Sequence, residues 1–282
     1  MNSNKKTVGI IGFGKVGGSL SFALCRKGIT VFVYTRTPPD KNSARHNFVS
    51  SIHTLIEKTS IIFITVPDSK IKNIAQDIAG TRTSLKNKII FHTSGSQTSQ
   101  VLTIVKRKGA SVASFHPLQT FPHKVDSLSI WKNIYCILEG NKRAVATGKL
   151  LCKILCMKSL VLPAKNKIYY HSAAVYASNF LVLLIAMSQQ LAEYAGINKK
   201  QFMLLFRPLI LQSLNNILHK ELNQALSGPL IRKDFDVIQA QIKAIKVKNR
   251  SSAKIYKLFV EYYEKYQKVG GQVLTFNSCR GN

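Results

Sequence analysis

The sequence predicts an α/β fold in two parts: a doubly wound, mostly parallel sheet over residues 1–163, then an all-α C-terminal domain over residues 164–282. Short β-branched runs alternate with helical stretches as far as Pro163, and no convincing strand appears from Asn166 to Gln267. A chain of 282 residues has room for two cores.

Each element has its own signal. Thr7–Ile11 and Thr30–Tyr34 are β-branched runs; between them Val16, Leu20, Ala23 and Leu24 recur at helical spacing until Gly28 closes the helix. Ser60–Val66, Lys88–His92, Ser111–Phe115, Ile134–Leu138 and Leu160–Leu162 read as further strands, with a helix at Lys142–Met157. Beyond Pro163 the helical segments are His171–Tyr194, Lys199–Leu226, Phe235–Ile245 and Ser251–Gln267, punctuated by Gly196, Gly228-Pro229 and Gly270-Gly271. The domain boundary is placed near residues 163–165.

The formal charge of +29, from 41 Lys+Arg against 12 Asp+Glu, invites a nucleic-acid reading. Its distribution argues against a dedicated site. Both halves are basic without long like-charge runs, and lysine outnumbers arginine 31 to 10, whereas base and phosphate readout favours arginine. A polar start and a longest apolar run of only Phe180–Met187, against the ~20 residues a span needs, predict a cytoplasmic protein with no membrane segment. The five cysteines show no CxxC spacing; Cys152 and Cys156 read as two buried thiols on one helix, and no metal site is expected.

After the first strand comes Gly12-Phe13-Gly14-Lys15-Val16-Gly17, a G-x-G-x-x-G that opens a helix. Gly12 permits the tight turn, Gly14 lets the backbone approach a pyrophosphate, and Gly17 lets helix and strand pack closely, so a Rossmann-type dinucleotide site is predicted. The second strand ends in Thr35-Arg36, with Lys41 following, where an NAD site usually carries a carboxylate. A hydroxyl and a guanidinium there suit the 2′-phosphate of NADP, although Arg36 also reads as a solvated loop arginine.

Ligands in open α/β sheets sit at the carboxyl ends of strands. Val66-Pro67 and Ser94 are assigned to the cofactor's border. Ser96 and His116 are the first candidates for stabilising charge on a substrate oxygen or nitrogen, with Gln119 beside the substrate and His92 a further candidate. Ser94 and Ser96 also read as turn caps, and His116 as a buried histidine before a proline.

GFGKVGGSL from Gly12, TVPDSKI from Thr65, FHTSGS from Phe91, FHPLQTF from Phe115, YHSAAVYASNF from Tyr170 and SGPLIRKD from Ser227 together resemble a bacterial family. It joins a Rossmann-like NADP-binding domain to a helical C-terminal domain of unknown function, and is related to pyrroline-5-carboxylate reductase, prephenate dehydrogenase and deazaflavin-dependent NADP oxidoreductases. The resemblance implies an NADP-dependent oxidoreductase and supports catalytic roles for Ser96 and His116, whose Gly-Ser and His-Pro settings are similar to those of prephenate dehydrogenases. Ser227-Gly228-Pro229 with Arg232 and Asp234 is similar to a stretch of pyrroline-5-carboxylate reductases. Lys233 departs from the family's usual glycine, and Val237 and Gln241 from the expected threonine and histidine.

In the helical part His171 and Asn179 share a broad helix face at ~100° per residue and are candidates to contact substrate. The other reading has them bonding backbone inside a dimer core. Arg232 can fork onto a substrate carboxylate with Asp234 fixing it, or the pair can mark a helix start with Asp234 as N-cap. The apolar Phe180–Met187 stretch is the expected homodimer seam. The expected activity is hydride transfer between NADPH and a small carbonyl, imine or hydroxy compound, and the alternative is a non-catalytic NADP-binding sensor.

Overall fold

A computed structural model describes residues 7–36, 46–125 and 127–268. The first part carries β1 (Val8–Ile11), α1 (Lys15–Arg26), β2 (Val31–Tyr34), β3 (Asn47–Phe48), α2 (Ile52–Lys58), β4 (Ile61–Ile64) and α3 (Asp68–Gly80). It continues with β5 (Ile89–His92), α4 (Thr103–Arg107), β6 (Ser111–Pro117), β7 (Tyr135–Gly140), α5 (Lys142–Ile154) and β8 (Lys158–Val161). The strands form one eight-stranded sheet in the order β3-β2-β1-β4-β5-β6-β7-β8.

All neighbours run parallel except β6 and β7, which are antiparallel with Ala113 opposite Gly140 and Pro117 opposite Cys136. Central strands read as unbroken apolar runs because helices cover both faces. In β4, Ile61 and Phe63 enter one core and Ile62 and Ile64 the other. Phe63 and Phe91 stack across β4 and β5 with ring centroids 4.9 Å apart, and Phe115 of β6 meets Phe63 edge-on at 5.2 Å. Side-chain caps start two of the helices: Ser51 accepts from Thr54 N–H and Asn141 from Ala144 N–H. The chain order reverses at β1, which pairs with β2 on one side and β4 on the other, and this opens a crevice at their carboxyl ends.

The antiparallel β7 lies within the expected mostly parallel sheet, and β3 is an additional strand. Two expectations shift. The strand read at Leu160–Leu162 is Lys158–Val161, and Cys156 is exposed just past α5 at φ 59° rather than buried beside Cys152. The helix turns left-handed at that residue, which swings its side chain out of the core.

The helical part holds α6 (Lys167–Val175), a π-helical turn at Tyr176–Phe180, α7 (Leu181–Tyr194), α8 (Lys199–His219), α9 (Leu222–Ala225), α10 (Pro229–Arg232), α11 (Phe235–Lys248) and α12 (Arg250–Lys268). The expected His171–Tyr194 helix thus contains a π turn, and the Lys199–Leu226 helix ends at His219. Asn198 and Gln201 form a reciprocal capping box at the start of α8. Contacts divide the chain into compact units of Met1–Asn179 and Phe180–Asn282, a division later than the expected 163–165 because α6 belongs with the first unit.

Lys233 ends α10 in the left-handed region, φ 58° and ψ 37°, where a side chain is disfavoured and the resembled family has glycine. Lys233→Gly is expected to raise the urea midpoint by the equivalent of about 1 kcal/mol, the left-handed penalty outweighing glycine's unfolded-state entropy. A lowered midpoint would contradict this. Of the other departures, Gln241 accepts a 2.6 Å hydrogen bond from the Tyr256 hydroxyl, so it ties α11 to α12.

Candidate functional site

Two cavities lie in the first unit. One, of roughly 430 Å³, opens at the carboxyl ends of β1, β2 and β4. Of the residues assigned to the cofactor it gathers Gly12, Phe13, Gly14, Thr35, Arg36, Val66 and Pro67, and it adds Thr65, Lys70, Asn73 and Lys124. Lys15, Val16 and Gly17 form the first turn of α1 beside it, and Lys41 lies outside the described residues. Gly12 has φ +100° and its N–H donates to Tyr34 O at 2.8 Å, so the turn needs a glycine. Thr65 Oγ1 donates to Gly12 O at 2.7 Å, fixing the loop to the end of β4.

The second cavity, roughly 730 Å³, is walled by His116, Gln119, Tyr170, His171 and Asn179 among other residues. The π turn carries Asn179, and it faces the same cavity as His171 although the helix is not regular between them. His116 Nδ1 lies 2.7 Å from the Tyr170 hydroxyl, which donates to it in the tautomer that keeps the imidazole proton on Nε2. Gly95 fits between two imidazoles: a Cβ there would stand 2.4 Å from His171 Nδ1 and 2.8 Å from His116 Nε2.

A polar network centres on Asp68. Asp68, next after Pro67, accepts from Ser94 Oγ at 2.6 Å and Ser96 Oγ at 3.1 Å. Ser94 Oγ also accepts from Gln97 N–H, the capping role weighed for it. Neither serine lines a cavity among those described; the Asp68 carboxylate holds both. Behind them Lys167, with no exposed surface, donates from Nζ to Ser94 O at 3.0 Å and to Ser114 Oγ. Burial pushes the Lys167 ammonium down to about 8, against the pull of Glu139 and Asp68.

Burial first, then the Lys167 charge, push His116 down to about 4 and His92 to about 3. Burial raises the Tyr170 hydroxyl. At neutral pH the pair His116–Tyr170 is therefore uncharged, and in that tautomer the His116 Nε2–H can donate a hydrogen bond. Between pH 6.5 and about 4 the unfolded chain binds protons that the folded chain refuses, so stability falls as pH drops through this window. The urea midpoint is expected to be lower at pH 5 than at pH 7.5. His92→Asn, whose Oδ1 can accept the Ser94 N–H that Nδ1 now takes at 3.2 Å, should flatten that dependence.

Arg232 and Asp234 lie in the second unit and are paired with one another, Nε donating to Oδ2 at 2.8 Å. Asp234 stands at the N-cap position of α11 but makes no side-chain cap bond. Lys124, Lys167 and Tyr170 were not singled out from sequence. Only Tyr170 carried a signal, its place beside His171.

The first half of this architecture is a Rossmann-like α/β sheet, and residues 1–117 match the family model of the Rossmann-like domain. Residues 134–263 match the Domain of unknown function (DUF2520). Together the two matches run along most of the chain, a Rossmann-like domain followed by the domain of unknown function. No curated protein matches the sequence. A crystal structure from Bacteroides fragilis, provisionally described as an NADP oxidoreductase, is similar at TM-score 0.76 and 22% identity, over 93% of this chain and 98% of that one. The reductive aminase from Aspergillus terreus, in complex with NADPH4, cyclohexanone and allyl amine, is similar at TM-score 0.67 and 15% identity over 95% of each chain. The pyrroline carboxylate reductase from Plasmodium falciparum with NADP bound gives TM-score 0.62 and 12% identity, over 93% of this chain and 99% of that one. At these identities the likeness is one of fold.

Proposed function

We propose that the chain is an NADP-dependent oxidoreductase that passes a hydride between NADPH and a small carbonyl, imine or hydroxy compound. The observation that carries this is that the glycine loop and Arg36 line one cavity, where backbone N–H groups would suit a diphosphate and the guanidinium a 2′-phosphate. The cofactor would supply the hydride. The chain's own residues bind and orient it, and His116 and Tyr170 supply hydrogen bonds to the oxygen or nitrogen that gains charge. Asn179, His171 and Gln119 complete the proposed substrate wall. The same fold in NADP- and NADPH-bound reductases supports the cofactor reading.

Titration of nicotinamide fluorescence tests the cofactor. NADPH is expected to bind more tightly than NADH, and Arg36→Ala to weaken NADPH about tenfold while leaving NADH unchanged. Equal affinities insensitive to Arg36 would remove the 2′-phosphate assignment. Stopped-flow oxidation of NADPH with a carbonyl and imine panel tests turnover, and His116→Ala should slow it. Tight binding with no oxidation by any member would instead mark a cofactor-binding sensor.

The helical stretch Ala164–Tyr194 is long and apolar enough to cross a membrane by length and composition, and none of its most apolar window is buried within the chain. Counting only uninterrupted apolar residues misses it, because His171, Ser172, Ser178 and Asn179 break the run. Val182, Leu183, Leu204, Leu209 and Leu218 are also exposed. We assign the exposed apolar residues of this stretch to contact with a second copy of the chain in a cytoplasmic homodimer, which would cover them. Sedimentation should give a dimer, whereas flotation with lipid vesicles would place the helix in a membrane.

A further inference from the structure

The dinucleotide fingerprint ends at Gly17, yet the next two residues, Gly18 and Ser19, are buried as well. Ser19 Oγ donates to Lys15 O and accepts from the N–H of Val125, each at 2.7 Å. Val125 belongs to the connection from β6 to β7, so Ser19 fastens that connection to α1 some hundred positions away. A Cβ at Gly18 would stand 3.1 Å from Lys124 Cγ and 3.2 Å from Cδ, so the missing side chain makes room for the lysine stem. The stem lies along α1 and Nζ ends 4.8 Å from the centre of the Phe13 ring, where it borders the nucleotide cavity with Gly12, Phe13 and Gly14.

We infer that Lys124 binds the diphosphate of the dinucleotide, delivered over the glycine loop by a strap seated on Gly18 and Ser19. The inference rests on the nucleotide reading above. Phe13 is the middle residue of Gly12-Phe13-Gly14, which lines the same cavity, so a cation held over its ring is placed to meet phosphates bound by that loop. Holding the lysine there before the ligand arrives removes part of the ordering cost of binding. The same cavity is also lined by Arg36 and Lys70, and with Arg36 assigned to the 2′-phosphate the diphosphate is left to the glycine loop and Lys124.

Lys124→Met keeps the stem on Gly18 and removes the charge. Its dissociation constants for NADPH and NADH are expected to rise together, by about tenfold, with a shallower salt dependence and an unchanged Tm. Adenosine 2′-monophosphate, which lacks the diphosphate, should bind the variant as it binds the wild type, whereas Arg36→Ala should weaken adenosine 2′-monophosphate and NADPH and spare NADH. Gly18→Val, which drives the stem from its seat, should weaken both dinucleotides in the same way. Unchanged NADPH and NADH affinity in Lys124→Met overturns the inference alone, as does an equal loss of adenosine 2′-monophosphate binding. A wild-type chain that binds neither dinucleotide overturns the nucleotide reading and takes this inference with it.

Discussion

Gly17→Ala is expected to lower stability by about 3 kcal/mol and to abolish measurable NADPH binding. A Cβ at this position would lie 2.2 Å from Gly12 O and 2.3 Å from Thr65 Oγ1. Neither neighbour can retreat cheaply. Gly12 is held at φ +100° by its bond to Tyr34 O, and its carbonyl accepts from Thr65. The strain must open the seam between α1 and the ends of β1 and β4, which is the floor of the cavity. Gly14→Ala separates folding from binding, since a Cβ there meets nothing within 4 Å. That variant should keep its urea midpoint and lose nucleotide affinity through the extra bulk facing the phosphates. A Gly17→Ala protein as stable as the wild type would refute the packing argument.

Lys167→Met is expected to raise the titration point of His116 from about 4 towards 6.5 and to cost roughly 1–3 kcal/mol. The methionine preserves the stem volume but leaves the Ser94 carbonyl and Ser114 hydroxyl without their shared ammonium donor. Because burial is the larger cause of the His116 shift and the Lys167 charge the second, the rise should be partial. An imidazole NMR titration reads this directly. With hydride transfer as the assay, the acid limb of the pH profile should move upward by the same amount. An unmoved His116 titration would show that Lys167 only fills space.

The parts legible in sequence are those whose constraints are local. Gly12, Gly14 and Gly17 mark a strand–turn–helix within six residues, and the strand end at Thr35-Arg36 follows from the same unit. His116 and His171 were visible as single residues, but not the glycine between them: Gly95 matters because it separates two rings contributed by β6 and α6. Lys167 shows nothing of its role in sequence, since its partners stand 73 and 53 positions earlier, one just past β5 and one within β6. A lysine in a lysine-rich chain reads as solvated surface until the fold buries it. The reversal at β7 was equally hidden, because an apolar run such as Tyr135–Gly140 has the same pattern in either direction. The π turn at Tyr176–Phe180 left the joint placement of His171 and Asn179 intact while changing the helix arithmetic that led to it.

That reversal of β7 has a consequence for how such a chain can diversify. A parallel partner for β6 would need its connection to cross to the far rim of the sheet before the next strand began. Running β7 backwards lets the chain between Pro117 and Tyr135 begin and end at the same rim, the one that carries the glycine loop and the His116 cavity. Residues added or removed in its first half, which carries Gln119 and Lys124, would reshape both cavities without altering a strand or its register, while Trp131, buried in the core, fixes the half nearer β7. Relatives that handle different substrates are expected to vary in length there first, while the sheet beneath them stays the same.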